Sequence, residues 1–148
     1  MENTIEKEVA KLQRFGKITK VDNVKKKTDA TLYVLLYDLK QIDVLRNIGK
    51  DEKMPIVALI NNNGQANFRT YIPTKNEKNK EKFIEEVNKI NAMVDEAKFY
   101  IDKDGDVCCE TAVNLEKSAL EDIEKSLRNL VLGVCMIILS KDNEDEEK

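Results

Sequence analysis

The chain contains no histidine. That removes the side chain that titrates nearest neutral pH, the Ser-His and Cys-His nucleophile pairs, and the commonest zinc ligand. Arginine is scarce: only Arg14, Arg46, Arg69 and Arg128 are present, so bidentate recognition of phosphate or carboxylate has few anchors. Cysteine is limited to Cys108, Cys109 and Cys135, an odd number without metal-ligand spacing. Cys108 and Cys109 adjoin on a predicted strand and point to opposite faces, which argues against a disulfide or a shared metal between them. A reduced, cytoplasmic setting is the expectation. The opening Met1-Glu2-Asn3-Thr4 lacks the basic and apolar regions of a signal peptide. No apolar run is long enough to span a bilayer. The longest, Leu130 to Leu139, has ten residues and would reach roughly 15 Å as a helix, about half a hydrocarbon core.

What is present suits a globular protein. The 148 residues are 41% hydrophobic and 36% charged, with a net charge of −3. That length predicts one domain, over residues 1–140, followed by a charged, disordered tail over 141–148. The acidic balance argues against a general nucleic-acid binder. The lysines at 25–27 and 75–82 are not interleaved with stacking aromatics and read as solvated surface.

The firmest local signals are two hairpins closed by glycine, each followed by a capped helix. Asn62-Asn63-Gly64 joins apolar strands within Met54–Ile72, and Lys103-Asp104-Gly105 does so within Ala97–Val113; such turns need positive φ. In the first hairpin a three-residue loop opposes Ala58 to Phe68, and a two-residue turn opposes Leu59 to Phe68. Either register puts Phe68 and Ile72 on the core face and Asn67, Arg69 and Tyr71 on the other. In the second hairpin a three-residue loop sorts the faces best, opposing Phe99 to Cys109, Ile101 to Val107 and Lys98 to Glu110.

Helical periodicity places Ile5, Val9 and Leu12 on a first helix over residues 3–15, ended by Gly16. Ile18 and Val21 fit a short strand, and Thr31 to Leu39 reads as a strand buried on both faces. Ile42, Leu45 and Ile48 suggest a short helix over residues 40–48. A capping box, Thr74 to Glu77, opens a middle helix with Phe83, Val87, Ile90 and Val94 as its stripe. Asn88, Asn91 and Asp95 lie near one side of that helix, where they can bond a strand edge or loop. A second box, Ser118 to Glu121, opens the closing helix.

Few residues invite chemistry. Asp102-Lys103-Asp104-Gly105-Asp106 looks like a calcium loop, but the EF-hand phase would put Tyr100 and Thr111 at its first and twelfth positions, so the turn reading is preferred. Cys108 lacks an identifiable base, and a buried thiol is the simpler reading. Asn67, Arg69 and Tyr71 form a candidate partner or anion contact. The closing helix loses its polar face from Leu130 onward, and a helix apolar all round must be covered on every side. Either it is a central helix covered by a sheet inside one domain, or, as the small size favours, Leu130, Val131, Val134, Ile137 and Ile138 form a homodimer or partner interface.

From about Asn61 to Val134 the order of elements resembles the bacterial YbjN-like family. The residues behind this are the helix Phe83-Ile84-Glu85-Glu86-Val87-Asn88-Lys89-Ile90-Asn91 and the hairpin Ala97-Lys98-Phe99-Tyr100-Ile101-Asp102-Lys103-Asp104-Gly105-Asp106-Val107. A loop from Ser118 then leads into a long helix. That family is described as sensory transduction regulators, with a fold similar to type III secretion chaperones. Leu39–Lys53 reads as an insertion relative to it. The resemblance implies an α+β fold, a mainly antiparallel sheet packed on helices in an α-β-β-β-α-β-β-α layout. It also implies a cytoplasmic, non-enzymatic module that dimerises and binds proteins. The expected partners are therefore a second copy and an unidentified protein, with no cofactor, metal, nucleic acid or membrane. A ligand-sensing domain with a pocket between sheet and helix, and a histidine-free enzyme, are the alternatives.

Overall fold

The computed structural model describes residues 7–21, 30–39, 53–61, 63–72, 80–94, 97–102 and 105–146. The Thr74–Glu77 capping box, the helix expected over 40–48, the Leu39–Lys53 insertion apart from its ends, Ile5, Asp95 and the lysines at 25–27 lie outside them. The architecture is α+β. Six strands make one sheet in the order β1-β2-β3-β4-β6-β5: β1 Gly16–Lys20, β2 Thr31–Asp38, β3 Lys53–Ile60, β4 Gln65–Ile72, β5 Lys98–Ile101 and β6 Val107–Asn114. The middle helix is Lys80–Met93 and the closing helix Leu120–Glu146. One strand more precedes the middle helix than the expected layout holds: the short strand suggested by Ile18 is β1. The chain forms two compact units, Met1–Phe68 with Ala112–Glu124, and Arg69–Thr111 with Lys125–Lys148.

In the first unit, residues 7–10 are α-helical and run into a 3-10 turn, Lys11–Phe15. The turn buries Leu12 and Phe15, and Gly16 closes it by donating its N–H to the Gln13 carbonyl. Its tighter pitch carries Phe15 inward, where the ring stacks on Tyr37 at 6.2 Å. β1 and β2 pair antiparallel with Ile18 opposite Leu35, and β2 and β3 pair with Tyr33 opposite Ala58 and Leu35 opposite Ile56. The strand expected to be buried on both faces is covered on one. Tyr33, Leu35 and Tyr37 are buried, whereas Leu32, Val34 and Leu36 are half-buried, the alternation of an antiparallel strand. At the first hairpin the Asn61 N–H donates to the Gln65 carbonyl at 2.8 Å, which selects the three-residue loop. Gly64 holds φ at 88°, a conformation costly for any residue with a Cβ. Phe68 is buried while Asn67, Arg69 and Tyr71 are exposed along β4, as the face assignment required.

In the second unit, β5 and β6 pair in the predicted register, with Lys98 opposite Glu110, Phe99 opposite Cys109 and Ile101 opposite Val107. Gly105 has φ 87°. Asp102 does turn chemistry: its carboxylate accepts from the Asp106 N–H at 3.1 Å, and its carbonyl accepts from the Gly105 N–H at 3.0 Å. The middle helix buries Val87 and Ile90. Its Asn91 reaches the neighbouring β5: Nδ2 donates to the Phe99 carbonyl at 2.5 Å, and Oδ1 accepts from the Phe99 N–H at 2.8 Å. A side-chain amide thus supplies the two bonds that another strand would have made.

The closing helix begins one residue later than its capping box suggested. Ala119 occupies the cap position, because its carbonyl takes the first intrahelical bond, from Ile123 N–H at 3.1 Å. The preceding turn is held by Asn114, whose Oδ1 accepts from the N–H groups of Glu116 and Lys117 at 3.0 and 2.9 Å. The helix then continues through the acidic residues to Glu146. Ile123, Leu127, Leu130, Val131, Val134 and Ile137 are buried along it.

Candidate interaction surface

Three adjacent strands, β4, β6 and β5, bring one group of polar and aromatic side chains together. Arg69 on β4 extends toward Glu110 on β6, and both Nε and Nη2 donate to Glu110 Oε2, at 3.1 and 2.9 Å. Nη1 donates to the Tyr71 hydroxyl at 3.4 Å. From the other side, the Tyr100 hydroxyl on β5 donates to the same Glu110 oxygen at 3.3 Å. Glu110 Oε2 therefore accepts three hydrogen bonds. Strand alternation explains the gathering: Tyr100, Cys108 and Glu110 sit on the face opposite Phe99, Cys109 and Val107.

Cys108 lies beneath this cluster, 1% exposed, while Tyr71 and Tyr100 remain 49% and 41% exposed. Tyr71 thus meets the arginine end of the ion pair and Tyr100 its carboxylate end, both with exposed rings. Arg69 is pushed upward, first by the hydrogen bond with Tyr71, against the loss of hydration, with the charge of Glu110 adding to the rise. The Glu110 carboxylate, at 2.9 Å, is the charged partner and takes two of the guanidinium's donors. Tyr100 is pushed above the ordinary phenol range, first by its hydrogen bond with Cys108, then by burial and the charges of Cys108 and Glu110, with Arg69 pulling down. Its phenol stays protonated. Burial, then the neighbouring Cys108, push the Cys109 thiol up to about 12. All three cysteines are free.

Two of the residues singled out in the sequence, Arg69 and Tyr71, belong to this group. Asn67 is exposed on the same side of β4. Glu110 does lie opposite Lys98 in the ladder, but its carboxylate goes to Arg69, whose planar fork offers two donors where a lysine presents a point charge. Tyr100 was not singled out as a site residue, and Cys108 was weighed only as a reactive or buried thiol. The hairpin register already put them beside Glu110; what the sequence did not carry was the adjacency of β4 and β6.

The expected interface on the closing helix is not gathered at one surface. Leu130, Val131, Val134 and Ile137 are buried within the chain, and only Ile138, 40% exposed, faces outward. One side of the apolar stretch is covered by the chain's own side chains, while Leu132, Cys135 and Met136 are half-buried. Gly133 reports how closely: a Cβ there would lie 2.7 Å from Phe99 Cε1. Among the described residues no three His, Cys, Asp or Glu side chains gather as a metal site. No described helix is long and apolar enough to cross a membrane. No family model, curated protein or solved structure matches the chain, so the YbjN-like resemblance rests on the residues quoted for it.

Proposed function

We propose that this chain is a small, non-enzymatic protein-binding module of chaperone-like or regulatory type, working in the cytoplasm. One observation carries the reading: a fixed Arg69–Glu110 pair set between two exposed tyrosine rings. Tyrosine and arginine dominate binding hot spots, since each offers a large contact area and a polar tip. Tyrosine loses little freedom when it docks, having only two side-chain torsions to fix. Here the polar tips are already tied to one another, so much of the ordering cost is met before a partner arrives.

The same bonds count against a histidine-free enzyme. The arginine is neutralised by Glu110, the Tyr100 phenol is held protonated, and the Cys108 thiol is covered. Catalysis at neutral pH asks for a group poised to gain or lose a proton, or a nucleophile open to substrate. The resemblance to YbjN-like regulators points the same way. The partner would lie across the rings, with a second copy of this chain as one candidate.

The test is affinity capture from native cell extract by the wild type and by Tyr71→Ser/Tyr100→Ser, with circular dichroism to confirm that the variant is folded. Proteins recovered by the wild type and lost from the folded variant support the reading. Identical recovery by both would remove the tyrosine surface from it. Light scattering over a dilution series reads self-association on the same samples.

A further inference from the structure

The sheet order leaves β1 and β5 as its terminal strands, and they are finished differently. In an antiparallel pair, residues alternate between bonding the neighbour and turning N–H and C=O away from it. On β5 the phase is set by the Asp102 N–H, which donates to the Asp106 carbonyl at 2.9 Å. Counting back in register, Tyr100 and Lys98 bond β6 and Phe99 turns outward. Asn91 occupies both outward groups of Phe99. An incoming strand would meet the middle helix there.

On β1 the phase is set by the Val21 N–H, which donates to the Leu32 carbonyl at 2.9 Å. Lys17 and Thr19 then bond β2, and Ile18 and Lys20 turn their N–H and C=O outward. Gly16, the next outward residue, spends its N–H on Gln13. Among the described residues, the outward groups of Ile18 and Lys20 have no partner. An open edge of this kind is a template for another strand.

The side chains say which strand. Lys17, Thr19 and Lys20 are exposed and Ile18 is half-buried, so β1 offers two cations and one apolar contact and no acid. Antiparallel pairing with β1 of a second copy would collect four lysines in one ladder, which like-charge repulsion opposes. A partner with acidic residues opposite Lys17 and Lys20 and an apolar residue opposite Ile18 would satisfy every group.

We infer that the outer edge of β1 takes an extended acidic segment of a partner protein as an added strand, main-chain bonds giving affinity and the two lysines selecting charge. This rests on the binding reading above but uses a separate surface. The probe is a short labelled peptide containing the order Glu-Thr-Val-Glu, which sets acids opposite Lys20 and Lys17 and valine opposite Ile18, with a Lys-Thr-Val-Lys peptide as control, titrated into the full chain by fluorescence anisotropy. Amide hydrogen exchange is followed at Ile18 and Lys20.

Saturable binding of the acidic peptide, slower exchange at both amides, and roughly tenfold weaker binding of the basic peptide are expected from two cross-strand charge pairs. Lys17→Glu/Lys20→Glu, which changes exposed side chains only, reverses the preference. Equal binding of both peptides, or unchanged exchange at Ile18 and Lys20 under saturating acidic peptide, overturns the inference. If that variant fails to fold, the wild-type comparison still decides. Tyr71→Ser/Tyr100→Ser leaves peptide binding intact, so failure at β1 and failure of the tyrosine surface read out separately.

Discussion

Removing the Asn91 side chain tests how the β5 edge is held. Asn91→Ala deletes two hydrogen bonds to the Phe99 backbone, at 2.5 and 2.8 Å. Each bond is worth about 1 kcal/mol net when water can replace the lost partner. Water can reach here, because Asn91 lies on the exposed side of its helix. The gross loss is therefore about 2 kcal/mol, short of the larger penalty for a group left dry and unpaired. Alanine is the better helix former by up to about 0.7 kcal/mol, which offsets part of it. The expected net change is about 1.3 kcal/mol, or roughly 4 °C in Tm for a chain of this size.

Urea unfolding followed by circular dichroism measures it, with the m-value unchanged if compactness is unaffected. Hydrogen exchange localises it: the Phe99 amide should speed up more than the amides of β6. Asn91→Asp separates the two bonds, since a carboxylate keeps the acceptor for the Phe99 N–H and sets negative charge against the Phe99 carbonyl. It should cost at least as much as alanine at pH 7 and recover on acidification, as the protonated acid regains a donor. A loss below about 0.5 kcal/mol in Asn91→Ala, or unchanged exchange at Phe99, would refute the account of the edge.

Three further perturbations probe separate parts of the chain. Gly133→Ala should cost about 1 to 3 kcal/mol by overpacking against the Phe99 ring, and Phe99→Leu in the same chain should return part of that in a double-mutant cycle read by urea unfolding. Glu110→Gln should cost no more than about 1 kcal/mol, because the ion pair is partly solvated, and its effect should shrink in 0.5 M salt; a loss of several kcal/mol would mean the pair is more deeply buried than described. For Cys109, whose folded pKa is raised to about 12, the neutral thiol is the form the fold holds. Its stabilising effect is complete below the unfolded value near 8.5 and is lost as pH rises through the folded one. The stability gap between wild type and Cys109→Ala should therefore narrow by about 1 to 3 kcal/mol between pH 8 and 10.5, and a gap independent of pH would contradict it.

Much of the architecture was legible because it is written in short-range chemistry. Asn62-Asn63-Gly64 and Lys103-Asp104-Gly105 announce turns that need positive φ, and the alternation of Phe68, Arg69, Thr70 and Tyr71 announces faces; neither depends on distant chain. The register of β5 on β6 followed from sorting Phe99 and Cys109 together and keeping Glu110 off the core. The role of Asn91 was half visible, as a polar residue within reach of a strand edge. Strand order is another matter. That β6 lies between β4 and β5 is a long-range fact with no local signal, so Arg69 could be picked out as an anchor while its partner Glu110 was assigned to Lys98. The 3-10 turn that carries Phe15 inward was hidden for the opposite reason, since its pitch differs from the α period used to read the stripe of Val9 and Leu12.

The closing helix shows why composition alone misplaces an interface. A run without a polar face must be covered, but the pattern is the same whether the cover comes from a second copy or from the chain itself. Burial decides: Val134 is covered and Ile138 is not. Gly133 adds a geometric reason, because the missing side chain lets the helix close onto Phe99. The surfaces proposed for recognition belong instead to the sheet: tyrosine rings on its β4–β6–β5 face and, among the described residues, unpaired backbone on β1. Both are contacts that side-chain hydropathy underrates, one being aromatic with polar tips and the other main chain. The hydrophobic run, the most conspicuous feature of the sequence, is thus mostly buried within the chain, and the proposed contacts fall on the less conspicuous tyrosines and edge lysines.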